Sequence, residues 1–405
     1  MSQDPSSVSR IALKRRHVLG MAAAGALTAT GARADEETIK IGVVVPLSGA
    51  FAASGQDELH GAQLAVDEIN AAGGIKSIGG RKLELLPADA GQTPESAVAA
   101  ARRILNQNPV GSIGCWYSAL TLAATQVAEQ KKIPWITGSG SDAIVGRGFK
   151  YSYQISAGSE DSARGMIATI KSLGSGDMRL AMLCDNNAFN VEVKEFIRKN
   201  VSIPFVAEPT WTSPLSDATP PVTAVLRANP NFIYLGATST TDQFLLLKQL
   251  AAQGNKALII MGASSAANPA FLTGVGAEAM EGLLVETSIS FPGKGSEAAN
   301  SRFVAATKQA FMDCEGLTGF VEVTVLALAL EKAGKADSAS VQEALQSLDV
   351  NNNPAASLLP GGTRLRFGPN GRRMDTSVQL LQWQSGRPVV VSPPDVANGV
   401  LKRKA

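Results

Sequence analysis

Between positions 39 and 78 the chain reads IKIGVVVPLSGAFAASGQDELHGAQLAVDEINAAGGIKSI, and no other stretch limits the fold as much. Ile39, Ile41, Val43, Val44 and Val45 form a short β-branched run stopped by Pro46. That pattern predicts a buried strand. Ser48 to Gly55 is rich in Ser and Gly and predicts an open polar loop. Leu59, Ala62, Ala65, Val66 and Ile69 then recur at helical spacing, and Gly73-Gly74 closes the helix. Strand, loop and helix make the unit of an open α/β sheet. Small ligands bind at the strand ends of such sheets, where loops and helix N-termini present free N–H groups.

The same unit recurs. Lys82 to Pro87 predicts a second strand, and Thr93-Pro94-Glu95 marks a helix N-terminus. Val110 to Trp116 and Ile133 to Ile136 predict two further strands, with a helix over Ala123 to Gln130 between them. The pattern resumes with strands at Arg179–Leu183, Phe205–Glu208, Phe232–Leu235 and Ala257–Met261. Helices are expected at Glu192–Lys199, Val222–Ala228 and Asp242–Gln253. Such alternation implies parallel sheets with helices on both faces. Helices are also expected at Ala298–Phe311, Gly319–Ala333 and Val341–Leu348, then a closing antiparallel hairpin around Gly386. At 405 residues, two domains are the default.

Residues 1–34 stand apart. Lys14-Arg15-Arg16-His17-Val18-Leu19 resembles a twin-arginine export signal, Gly20 to Thr30 is a short Ala-rich apolar run, and Ala32-Arg33-Ala34 fits the A-x-A cleavage rule. The expectation is export and cleavage near Ala34, with the mature chain starting at Asp35. The competing reading is a short N-terminal anchor, but the run is well under the ~20 residues that span a bilayer. Val323 to Leu330 is flanked by Glu322 and Glu331 and reads as a buried helix.

Charge and composition narrow the function. Net charge is +2, and removing the leader's five Lys/Arg and one acid leaves 32 against 34. With basic residues scattered as well, nothing points to nucleic acid. Cys115, Cys184 and Cys314 are an odd count without a C-x-x-C. They are expected as buried thiols, with one bridge left open, and no metal is expected. Only His60 remains outside the leader, on a predicted helix, where a surface or packing role is the usual one. Gly274-Val275-Gly276 is an incomplete glycine fingerprint, and no G-x-x-x-x-G-K-[ST] occurs. No cofactor and no His-based nucleophilic catalysis are expected, so the chain reads as a binder, not an enzyme. Carboxylate chemistry stays open.

Several segments also carry a family resemblance. IGVVVPLSG followed by INAAGGI resembles the start of periplasmic solute-binding proteins of the leucine/isoleucine/valine-binding type, the extracytoplasmic receptors of ABC importers. Arg81-Lys82-Leu83-Glu84-Leu85 with Asp89, Arg147-Gly148-Phe149-Lys150-Tyr151, Asn229-Pro230-Asn231-Phe232-Ile233-Tyr234 and Glu281-Gly282-Leu283-Leu284-Val285 follow in the family's order. The resemblance covers essentially the whole mature chain. It implies the type I periplasmic-binding fold, in which two Rossmann-like lobes with parallel-sheet cores are joined by three hinge crossovers, here near residues 157, 287 and 365. Lobe 1 would comprise 35–157 plus 288–365, and lobe 2 158–287 plus 366–405. The ligand would lie in the cleft between them. The implied partners are a small solute and an ABC permease of the inner membrane. The implied state is a periplasmic monomer. A periplasmic sensor of the same fold is the alternative, and a twin-arginine-exported oxidoreductase is disfavoured by its missing cofactor motif.

By the same resemblance, Ser118 helps hold a ligand carboxylate, and Ser139, Gly140 and Ser141 match a segment that binds carboxylate and amino group. Small residues let backbone approach an anion, and hydroxyls donate to it. Three places depart from the amino-acid binders. Phe189 stands where the family has tyrosine. The acid that pairs the ligand ammonium is replaced within Thr238-Ser239-Thr240-Thr241. Trp116-Tyr117 is bulky and aromatic. Losing a buried counter-charge is costly, and a flat apolar wall suits a ring or acyl chain. The expected solute is a carboxylate with a hydrophobic or aromatic body, with Asp142 or Asp161 able to supply an ammonium partner. Ser54 and Thr240 complete the candidate contacts. For Trp116, Tyr117 and Phe189, core packing is the equal alternative.

Overall fold

The computed structural model describes residues 38–173, 178–200, 204–288, 291–293, 296–353, 356, 358–361 and 364–402. The leader expected over 1–34 lies outside them. The chain opens with β1 (Ile39–Val45), α1 (Ala52–Ala71), β2 (Leu83–Asp89), α2 (Pro94–Leu105), β3 (Gly111–Ile113), α3 (Ser118–Lys131), β4 (Trp135–Thr137), α4 (Ala143–Gly146) and β5 (Ser152–Gln154). These five strands form one all-parallel sheet in the order β2-β1-β3-β4-β5. β1 is buried on both faces. Ile39, Ile41, Val43 and Val45 enter one apolar cluster and Val44 the cluster opposite. A β-branched run without polar alternation fits that central position. Thr93 and Ser96 cap α2 reciprocally behind Pro94, as the sequence signals.

Then follow α5 (Ser159–Leu173), β6 (Leu180–Asp185), α6 (Ala188–Asn200), β7 (Phe205–Ala207), β8 (Thr210–Trp211), α7 (Thr219–Arg227), β9 (Phe232–Gly236), α8 (Thr240–Ala252), β10 (Leu258–Met261), α9 (Phe271–Gly274), α10 (Ala277–Met280) and β11 (Leu284–Thr287). After them come α11 (Glu297–Thr307), α12 (Cys314–Ala333), α13 (Ser338–Gln346), β12 (Asp349–Asn351), β13 (Arg364–Arg366), β14 (Gln379–Gln384) and β15 (Arg387–Ser392). The second sheet runs β15-β14-β11-β10-β9-β6-β7, with β8 also on β6. Its core is parallel, and the expected β14–β15 hairpin adds the antiparallel edge.

The chain passes between the sheets three times. The first passage lies between Gln154 and Ser159 and the second just after Thr287. The third falls later than position 365: Leu365 still pairs with β12, Arg373 N donates to the Gln154 carbonyl at 2.8 Å, and the second sheet begins at Gln379. Buried Arg373 ties these strands of chain together, donating to the carbonyls of Ile155 and Pro360 at 2.8 and 2.5 Å.

α12 is buried along nearly its whole length, which explains the apolar run near Val323 to Leu330. It packs on α1 so closely that a Cβ on Gly319 would overlap the Glu58 carbonyl oxygen. Small residues permit such backbone contact. Among the described residues no helix is long and apolar enough to cross a membrane. The three cysteines are free and buried, and His60 lies on the exposed face of α1.

Three local expectations shift. α3 begins at Ser118, five residues before the expected helix, because Tyr117 already supplies the first helical carbonyl acceptors. α1 begins at Ala52, inside the expected loop. The helix α5 had no counterpart in the sequence reading.

Candidate functional site

The strand ends of the two sheets face one cavity, the place where open α/β sheets take their ligands. Trp116, Ser118, Gly138 and Gly140 line it from the loops after β3 and β4. Asn187, Phe189, Asn190 and Thr238 line it from the ends of β6 and β9, Gly262, Ala263 and Ser264 from the end of β10, and Glu286, Thr287 and Ser288 from the end of β11. No Lys or Arg is among these residues. An anion placed here would meet neutral donors and helix N-termini.

α3 supplies the first of these. Ser118 is its first residue, no side chain caps its N-terminus, and its leading N–H groups are therefore unclaimed by the helix. The Ser118 hydroxyl is 2.9 Å from that of Ser139. The Trp116 indole N–H is buried without a partner and borders the cavity. Phe51, which the sequence reading passed over, packs its ring 4.4 Å from Tyr117 and 6.1 Å from Trp116. Tyr117 thus backs the aromatic wall and does not line the cavity.

The remaining expected contacts divide. Gly140 and Phe189 both line the cavity and lie almost in contact: a Cβ on Gly140 would come within 2.8 Å of the Phe189 ring and 2.9 Å of the Ser288 hydroxyl. Ser139 is held by its neighbours: its carbonyl accepts from Gln154 Nε2 at 2.7 Å and Ser156 Oγ at 2.8 Å. Ser141 donates its hydroxyl to Glu192 of α6 at 2.7 Å. Glu192 also accepts from Asp142 N at 2.7 Å and Ser159 Oγ at 2.6 Å. A carboxylate from the second-sheet side therefore clasps the loop after β4. Asp142 pairs with Arg372 and accepts from Ser159 and Glu160. Asp161 accepts from Thr376 Oγ1 at 3.2 Å and Gly158 N at 3.4 Å. Neither aspartate lines the cavity, and neither do Ser54 in the first turn of α1 or Thr240, the first residue of α8.

Buried acids support the loops from behind. Glu322 accepts from Gly138 N at 2.8 Å, and burial pushes its carboxyl up to about 8. Glu315 accepts from Ser264 Oγ at 2.6 Å, and burial pushes it up to about 7. Glu58 is fully buried beside both, and burial together with its acidic neighbours Glu322 and Glu315 pushes it well above the carboxylate range. Adjacent buried carboxyls cannot all ionise, so a proton stays among them.

Glu286 is the acid on the cavity wall itself. It is 3% exposed, its Oε2 has no partner, and burial pushes its carboxyl up to about 8 against a smaller, opposite effect of the Ser162 hydroxyl. Sequence reasoning missed Glu286, Asn187 and Asn190. The signal for Glu286 was a lone acid ending the apolar run Leu284-Val285, and for the asparagines an i, i+3 pair opening a helix just after a strand.

The model of a family described as periplasmic binding protein matches residues 38–388. Leu/Ile/Val-binding protein homolog 8 of Brucella melitensis is 27% identical over 407 residues, covering 96% of this chain and 99% of that protein. Among solved structures, the branched-chain amino acid transporter substrate binding protein LivJ of Streptococcus pneumoniae, in complex with isoleucine, superposes with a TM-score of 0.76. It is 21% identical, over 88% of this chain and 100% of that one. An R. palustris ABC-transporter solute binding protein in complex with benzoate gives 0.74 at 16% identity, over 91% of this chain and all of that one.

Proposed function

The chain belongs to the periplasmic binding protein family, and from that premise we propose that it is the extracytoplasmic receptor of an ABC importer, taking a small carboxylate-bearing solute with a hydrophobic or aromatic body. The observation that carries the reading is the cavity between the two sheets. One wall offers Ser118, the open N-terminus of α3 and the unpartnered Trp116 N–H, without a cation, and the Phe189 ring lies opposite. Neutral, fixed donors suit a carboxylate that must later be released. Aromatic rings suit its apolar body.

In this reading Ser118, Gly140, Trp116 and Phe189 touch the solute. Ser139 and Ser141 position the loop, and Tyr117 backs the wall. The two halves, 35–157 plus 288–373 and 158–287 plus 379–405, act as lobes that hinge at the three passages. The Glu192 clasp belongs to the closed form, which the solute stabilises by bridging the walls. Residues 1–34 direct export to the periplasm, and the closed monomer delivers its solute to an inner-membrane permease.

Thermal denaturation of the mature protein with a panel of carboxylates tests the reading. A ligand at ~100 times its Kd adds about 2.7 kcal/mol of stability, so a true solute raises the melting point by several degrees. If no carboxylate in the panel moves it, the reading is wrong.

A further inference from the structure

The cavity is polar in a directional way. Its first-sheet wall ends in donors. Its second-sheet wall carries Asn187, Asn190 and Glu286, whose Oδ1, Oδ1 and Oε2 atoms are each buried without a hydrogen-bond partner. The three residues are 7%, 2% and 3% exposed. Their orientation is set from behind. Asn190 donates from Nδ2 to Asp185 Oδ1 and to the Gly236 carbonyl, both at 2.7 Å, which leaves its Oδ1 as the unmet atom. Asn187 receives its backbone anchor from the same Asp185, at 3.1 Å, and Asp185 also accepts from Thr238 N at 2.7 Å. A buried acceptor left unmet is costly, and three at one wall mark a place built for a donor.

We propose that Glu286, Asn187 and Asn190 form a subsite that receives a hydrogen-bond-donating group, an ammonium or a hydroxyl, on the same solute whose carboxylate lies toward Ser118. The assignment rests on the receptor reading above and names its missing half: the solute is bifunctional. It also relocates the counter-group that the Thr238–Thr241 stretch lacks. An ammonium has three N–H donors and no acceptor, matching three oxygens of which one can carry charge. A hydroxyl satisfies one of them.

The two sources differ in proton traffic. Burial holds the Glu286 proton up to about 8. An ammonium displaces that proton on binding, whereas a hydroxyl leaves it in place. Two other acids stand near this wall, Asp185 on β6, raised by burial, and Glu315 behind Ser264, at about 7, and the Glu286→Leu variant separates their protons from that of Glu286. From β9 the titratable group near Glu286 is the Tyr234 phenol, itself pushed far up by burial, and from α5 it is met by the uncharged Ser162. The residues paired with it or beside it on β14, Leu380 and Gln379, are uncharged.

The experiment uses matched probes on the mature chain: 3-phenylpropanoate against L-phenylalanine, and benzoate against 4-hydroxybenzoate, each by calorimetry. The donor-bearing member of at least one pair should bind about tenfold tighter or better. Glu286→Leu should collapse that ratio toward one, and Asn190→Leu serves as the second variant. Calorimetry at pH 6.5 in two buffers of different ionisation heat then separates the sources. Release of about one proton identifies the ammonium, and a retained preference without release identifies the hydroxyl. Equal affinities within both pairs, or a preference that survives both substitutions, overturns the subsite and leaves the receptor reading standing. If no carboxylate binds at all, the receptor reading fails and the subsite with it.

Discussion

At the scale of single residues the site depends on what is left unclaimed. Ser118 shares its hydroxyl only with Ser139, at 2.9 Å, and opens an uncapped helix turn at the cavity. Ser141, of the same chemistry and equally legible in the sequence, is occupied by Glu192. Ser118→Ala should weaken solute binding by about two- to tenfold, roughly the 0.5–1.5 kcal/mol of one hydrogen bond, while the melting point without solute stays within a degree or two. Loss of both together would make Ser118 a packing residue. Gly140→Val should abolish tight binding more thoroughly, because branched carbons would strike the Phe189 ring and Ser288 and hold the walls apart. Titration of the same probes reads both variants. The sequence shows that residues 138–141 are small. It does not show which aromatic ring makes smallness necessary, since Phe189 is about fifty positions away.

At the scale of elements, two helices organise the cleft from behind. α1 and α12 meet at Gly319 and carry Glu58, Glu315 and Glu322 to the loops after β10 and β4. Gly319→Val should cost about 3 kcal/mol or more, since the added carbons overlap helix backbone that cannot move aside; urea unfolding measures it. The clasp between α6 and the loop after β4 is the second device. Glu192→Ala removes acceptors for Ser141, Asp142 and Ser159, and should shift the solute-free protein toward the open form. A larger radius of gyration in solution scattering, restored by saturating solute, is the expected outcome. Element identity was readable because β1, α2 and α12 have strong local patterns. The start of α3 was not, because no capping side chain announces it, and the same missing cap leaves its N–H groups for a ligand.

At the scale of the whole molecule, buried acids set a pH dependence. Glu286 and Glu322 titrate at about 8 and Glu315 at about 7 in the folded chain, above the ordinary 4.5. Between those limits the folded state binds more protons than the unfolded one. Their contribution to stability is therefore full below about pH 4.5 and is lost as pH rises through 7 to 8. Each group contributes a slope of at most about 1.4 kcal/mol per pH unit. Asp89, held low by the Ser48 hydroxyl and backbone N–H donors, and Glu331, held low by backbone N–H donors, act in the opposite sense and only at acid pH. Urea unfolding should thus give higher stability near pH 5.5 than near pH 8.5, and Glu286→Leu should flatten the difference. A flat profile in the unmodified chain would mean that these acids are solvated.

The sequence by itself determined the alternation of strand and helix, two sheets with parallel cores, and membership in a family of binding proteins. These follow from periodicity, turn residues and short motifs, which act between near neighbours. Only the tertiary structure decided which polar groups remain free. Glu286, Asn187 and Asn190 come from two different strand ends, Glu192 reaches its partners across the cleft, and Asp142 and Asp161 are consumed by Arg372 and Thr376. Whether a side chain is a ligand contact or a strut depends on what has already claimed its hydrogen bonds, and that is settled by contacts between residues far apart in the chain.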